Sequence, residues 1–209
     1  ETPDRDPENP SKAVLPAGGK SVSGDRGRLA ELAVASLDRA LWNLRSILKA
    51  IGEDQIDRLF AALAEAADPD AALDCLERTL TGSYGFPREL LEEGRLERLT
   101  FIFGAGEPMA DLAEGHLVEM TSPGFADPRD PMVEAPTIGG ADETARLRSL
   151  SRWHRRELLR IVCCELDGGI DVEQTGDALS ELADLTVRAA FQVVGAEDLP
   201  MGVVALGKW

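Results

Sequence analysis

The chain has 209 residues, enough for one sizeable domain or two small ones, and area scaling lets such a length bury about 70% of its extended surface without disulfide or metal staples. Hydrophobic residues make up 44% and charged residues 29%, which excludes an intrinsically disordered composition. Thirty-eight acidic against 22 basic residues give a net charge of −16, a surface that repels phosphate backbones and anionic lipid and so argues against a general DNA, RNA or membrane binder.

Aromatics are only 5%, so the core must be built from Leu, Ala, Val and Ile, and a mainly α fold is expected. Residues 1–24 are rich in Pro and Gly and read as a flexible lead. Leu29, Leu32, Ala33, Leu37, Leu41, Leu44, Ile47, Leu48 and Ile51 follow i, i+3, i+4 spacing and predict one long amphipathic helix stopped by Gly52. A second helix is expected over 53–67. Asp68 and Pro69 suit the N-cap and first position of a third helix, running to about Leu80 and stopping at Gly82. Pro87 opens a short helix, residues 95–103 form another apolar-striped piece, and Glu107-Pro108 starts a helix ending near Gly115. These make an N-terminal helical region over 25–120.

Residues 121–140 hold Pro123, Pro128, Pro131, Pro136 and Gly139-Gly140, which excludes regular structure and predicts a long loop. Two long helices are expected over 141–167 and 171–194, within a region 141–199. Their inward positions are read as Leu147, Leu150, Trp153, Leu158, Ile161 and Val162, then Leu179, Leu182, Ala183, Leu185, Val187, Ala190 and Val194. The compact apolar run Met201–Leu206 reads as a buried strand, followed by Gly207-Lys208.

Gly202, Gly207 and Lys208 match part of a P-loop string. The residues between are strand formers and Trp209 offers no hydroxyl for magnesium, so this reading is rejected. Asp68 and Asp70 could pair on a metal, but a helix cap explains them better. His116 reads as a helix-end residue rather than a ligand. Cys75, Cys163 and Cys164 show no disulfide or zinc spacing, which fits a reducing, cytoplasmic compartment, and the adjacent pair reads as small buried hydrophobes. The sharper feature is an arginine island in residues 141–167, which carries net +1 while the remainder carries −17. Arg148, Arg152, Arg155 and Arg156 can share a helix face. They offer either a phosphate or partner contact, since Arg forks grip oxyanions, or ion pairs to the acidic body.

Three segments occur in a telling order: Leu147–Ile161 (LRSLSRWHRRELLRI), Leu179–Leu185 (LSELADL) and Met201–Lys208 (MGVVALGK). Together they resemble the bifunctional glutamine synthetase adenylyltransferase/adenylyl-removing enzymes. Leu37–Leu44 (LDRALWNL) and Leu96–Leu112 resemble upstream segments of the same family. The likeness covers about residues 37–209 and is weakest in the proline-rich stretch.

That resemblance implies transfer of AMP from ATP to a tyrosine of glutamine synthetase, or its phosphorolytic removal, with Mg²⁺ and ATP as cofactors. Glutamine synthetase and a PII-type signal protein are the implied partners. The position of the Asn43 helix makes the chain look like the N-terminal, adenylyl-removing half. Gly207 and Lys208 would belong to the nucleotide-binding turn, at the first strand of an α+β nucleotidyltransferase domain over 200–209. Trp209 stands where the family has Leu or Met, and the metal-binding aspartates that follow in the family have no counterpart here. No catalytic or metal-binding residue is therefore assigned in this chain, and the 209 residues alone are expected to be inactive. The competing reading is a stand-alone helical interaction module.

Overall fold

The computed structural model describes residues 21–82 and 87–195, with side chains from residue 24 onward. The predicted strand at 201–206, Gly207, Lys208 and residues 1–20 of the expected lead lie outside the described residues, while residues 21–24 of that lead are helical. Within them the chain is mainly helical: α1 (Ser21–Glu31), α2 (Leu37–Ile51), α3 (Ile56–Glu65), α4 (Pro69–Thr81), α5 (Arg95–Phe103), α6 (Pro108–Ala113), α7 (Leu117–Met120), α8 (Glu143–Leu166) and α9 (Val172–Val194). Single 3-10 turns precede α3 and α5.

The long helix expected over residues 29–51 is two helices. Ala33 takes a left-handed φ of 55°, and the Ala35 N–H donates to Asp70 Oδ2 at 2.6 Å. The break lets Leu29 of α1 and Leu44 and Ile47 of α2 enter the same core from different directions. No Gly or Pro marks it, because its cause is a carboxylate on another helix. The Asp68/Asp70 pair is thereby divided. Asp68 caps α4 by accepting the Ala71 N–H at 3.0 Å, while Asp70 holds the α1–α2 turn.

α2 packs on α4 and α3 on α5, building the larger core around Leu44, Leu59, Leu63, Leu76, Leu99 and Phe103. Asn43 is buried and donates to Asp74 Oδ1 at 2.5 Å, tying α2 to α4. Arg58 of α3 forks onto Glu97 of α5 at 2.8 and 2.9 Å, and that hydrogen bond holds the Glu97 carboxyl below its ordinary range. Gly104 ends α5 where a Cβ would stand 2.8 Å from the Ala66 Cβ. Only the smallest residue lets these two helix ends touch.

α8 and α9 form a hairpin across Asp167–Asp171. Asp142 caps α8 through the Ala145 N–H, and Asp171 with Gln174 forms a capping box on α9. A smaller core of Val133, Ile161, Cys164, Ile170, Ala178 and Leu182 lies along this hairpin. α8 serves both cores, because Leu159 and Cys163 face the larger one while Ile161 and Cys164 face the smaller. Arg98 of α5 pairs with Asp167 at the end of α8, adding a second tie between them.

The expected inward stripes need correction. Leu147, Val187 and Val194 are exposed, and so is Ala183. Of the expected positions on α9, Leu182 is buried and Leu179 and Leu185 pack partly buried on the smaller core, while Thr175, Ala178, Ala189 and Val193 also turn inward. Doublets such as Ala189-Ala190 and Val193-Val194 satisfy a helical period in either register, and packing on α8 decides between them. The loop over 121–140 has no helix or strand, as predicted, yet it is anchored. Phe125 enters the larger core and Val133 the smaller.

Candidate functional site

A cleft of about 1060 Å³ opens between α8 and the α6–α7 region. α8 contributes Arg148, Ser151, Arg152 and Arg155, the face created by i, i+3, i+4, i+7 spacing. Arg78, Thr79 and Gly82 at the end of α4 form one side. Ala110 and Asp111 of α6, Glu114, Gly115 and His116 of the connecting turn, and Leu117, Val118 and Glu119 of α7 form the opposite wall. α7 is held in place by Arg95, which donates to the Val118 carbonyl at 2.8 Å and to Ser122 Oγ at 3.1 Å.

The charges in this cleft are mostly paired. Arg78 meets Asp111 at 3.3 Å and Arg155 meets Glu114 at 3.5 Å. Glu119 is shared by Arg156 at 2.6 Å and His116 Nδ1 at 3.2 Å. Burial pushes the Glu119 carboxyl up, but the Arg156 hydrogen bond and charge, with His116, outweigh it and hold the group below its ordinary range. Arg148 and Arg152 are exposed to the cleft and enter no ion pair or side-chain hydrogen bond among the described residues.

The arginine island therefore divides. Arg148, Arg152 and Arg155 line the cleft. Arg156, one position on, is rotated to Glu119 and Glu157 and lies over the Phe125 ring at 5.8 Å. Arg160 is fully buried against Glu157 and donates to the Met132 carbonyl. His154 bonds Thr186 Oγ1 through Nδ1 at 2.8 Å, between α8 and α9, and burial lowers its pKa. Gly207 and Lys208 lie outside the described residues.

His116 does stand at a helix end, but as the residue before α7 and buried in the cleft wall. α7 itself was not expected, since a four-residue helix leaves little periodicity. Arg78 comes from a distant part of the chain, and no linear signal points to it. Cys163 and Cys164 are fully buried. Burial pushes the Cys163 thiol up to about 12, so it holds its proton and acts as a hydrophobe. Among the described residues no group of three or more His, Cys, Asp or Glu side chains could hold a metal ion. These residues thus do not fit a magnesium site.

Replacing Arg156 with alanine strips Glu119 of its main partner and Glu157 of one of three, leaving it Arg160 and, at 4.0 Å, Arg129. The expected cost is about 1 kcal/mol, because Glu119 has 41% of its side chain exposed and Glu157 keeps Arg160. The acid profile supplies the signature. A carboxyl held low by folding adds stability above its unfolded pKa, and that stability is lost as pH falls through the folded value. Arg156→Ala removes this contribution at neutral pH. Its melting temperature should therefore fall less than that of the parent between about pH 6 and about pH 3. Parallel profiles would show that Arg156 does not govern Glu119.

Over 165 residues the chain is 34% identical to the bifunctional glutamine synthetase adenylyltransferase/adenylyl-removing enzyme of Streptomyces coelicolor and 33% identical to that of Streptomyces avermitilis. Over 190 residues it is 25% identical to the enzyme of the same name from Bifidobacterium longum subsp. infantis. The chain is a relative of these adenylyltransferases. The alignments take in 72%, 72% and 76% of this chain but only 16%, 16% and 18% of the relatives, so the chain spans about a sixth of their length. No protein-family model matches the chain, and no solved structure matches it. The resemblance drawn from the motifs around α2, α5–α6 and α8–α9 agrees with these adenylyltransferases. No described helix is long and apolar enough to cross a membrane.

Proposed function

We propose that this chain is a helical segment of an enzyme that adenylylates and deadenylylates glutamine synthetase in nitrogen regulation. The observation that carries this reading is its similarity, over about three-quarters of its residues, to three enzymes bearing that name. On this reading glutamine synthetase is its partner and a PII-type signal protein its regulator, in the cytoplasm. The segment belongs to the N-terminal, adenylyl-removing half. Gly207 and Lys208 contribute to the nucleotide-binding turn, and ATP and Mg²⁺ serve the complete enzyme. Arg148, Arg152, Arg155 and Arg156 mark the face for phosphate or partner contact. The 209 residues alone are catalytically silent.

The test uses the purified chain with glutamine synthetase, magnesium and labelled ATP, and in parallel with adenylylated glutamine synthetase and inorganic phosphate. Association with glutamine synthetase is expected, without transfer or release of AMP. AMP transfer or release by the chain alone would overturn the silent role. Failure to associate would overturn the assignment of glutamine synthetase as partner. The alternative, a stand-alone helical interaction module, is favoured by the two cleft arginines, Arg148 and Arg152, that pair with no carboxylate among the described residues. A coding sequence that continues into Gly-Gly and Asp-x-Asp would exclude it.

A further inference from the structure

We infer that the cleft between α8 and the α6–α7 turn binds the phosphate group of a small phosphorylated molecule, with Arg148 and Arg152 as its principal ligands. This rests on the reading of the arginine face as a phosphate contact and is independent of AMP transfer.

Charge pairing leads there first. Arg78 has Asp111, Arg155 has Glu114, and Glu119 has Arg156 and His116. Arg148 and Arg152 are left over, one helical turn apart and on the same wall of one concave surface. In a chain of net charge −16, carboxylates are abundant, yet among the described residues none pairs with either arginine. Guanidinium forks match tetrahedral oxyanions bidentately. The Ser151 hydroxyl between them enters no hydrogen bond among the described residues and supplies a further donor. Arg155 touches Glu114 only at 3.5 Å, a long contact that an anion can compete with.

Shape and charge density then select the ligand. The cleft, at about 1060 Å³, lies at the upper end of small-molecule sites and exceeds what phosphate alone would fill. Leu117, Val118 and Ala110 give the rest of a ligand an apolar surface. A phosphate monoester brings about −1.5 to −2 charges to a single point, suited to two adjacent cations, whereas an acidic peptide spreads one charge per residue along a strand.

Isothermal titration calorimetry of the 209-residue chain at fixed ionic strength tests this, with inorganic phosphate, AMP and an oligoglutamate peptide as probes. Phosphate and AMP should bind, and tighter binding of AMP would identify the apolar wall as part of the site. The double variant Arg148→Ala/Arg152→Ala should weaken AMP at least tenfold while keeping the parent melting temperature, since both side chains are exposed. Arg148→Lys/Arg152→Lys should lose less. Arg45→Ala/Lys49→Ala makes the same charge change on α2, outside the cleft, and should leave affinity unchanged. No binding of phosphate or AMP, equal losses in the two alanine pairs, or oligoglutamate binding that AMP does not displace would overturn the inference. Loss of glutamine synthetase association with AMP binding intact overturns only the proposed partner. The converse overturns only this site.

Discussion

Replacing Glu157 with alanine is expected to destabilise the chain by about 3–5 kcal/mol, the cost of leaving a buried charge without its counter-ion. Arg160 has 0% and Glu157 1% of its side chain exposed. The carboxylate accepts from Arg160 Nε at 3.0 Å and from Arg156 at 2.7 Å. Without it the Arg160 guanidinium keeps only the Met132 carbonyl, and its Nη1 is already buried with no hydrogen-bond partner. Against a total stability of about 5–15 kcal/mol for a typical domain, the loss is severe and reads directly in urea denaturation. Glu157→Gln retains hydrogen-bonding atoms and should lose less. Glu157→Leu combined with Arg160→Met removes both charges and should recover most of the stability, because a buried pair is worth little over an apolar replacement. A loss below about 1 kcal/mol in Glu157→Ala would mean that Arg160 reaches water.

Leu159→Ala should cost about 2–5 kcal/mol, through lost burial and the cavity left behind. Leu147→Ala on the same helix should stay within about 0.5 kcal/mol, as surface substitutions do. Leu159 is fully buried in the larger core and Leu147 is 40% exposed. Because α8 supplies side chains to both cores, the Leu159 variant should lower one cooperative transition rather than separate two. Circular dichroism and tryptophan fluorescence should trace the same curve. Two resolved transitions would show that α8 does not couple the cores.

Local chemistry was readable where it was self-contained. Asp68-Pro69, Asp142, Asp171 and Gly195 mark helix ends with their own caps, so α4, α8 and α9 begin and end close to where the spacing puts them. α5 follows its apolar stripe from Arg95 to Phe103. The α1–α2 break was hidden because it depends on Asp70, 35 residues away from the Ala35 N–H it accepts. The cleft was half visible. Its α8 wall is a helical repeat of arginines, but Arg78 and His116 arrive by tertiary packing. The separation of Arg155 from Arg156 follows from the rotation between successive helical residues. That rotation carries one to the cleft and the other to Glu119.

Arg160 grips the 121–140 loop through the Met132 carbonyl rather than through a side chain. Every residue type presents that same oxygen. Selection acting through this clamp therefore holds the position of one peptide group and is indifferent to the letters around it; the buried Thr121, Phe125 and Val133, and Arg129 with its pairs to Glu134 and Glu157, are held on their own account. Substitutions can accumulate across most of the stretch while its path is kept. A backbone clamp is the kind of restraint that permits such drift.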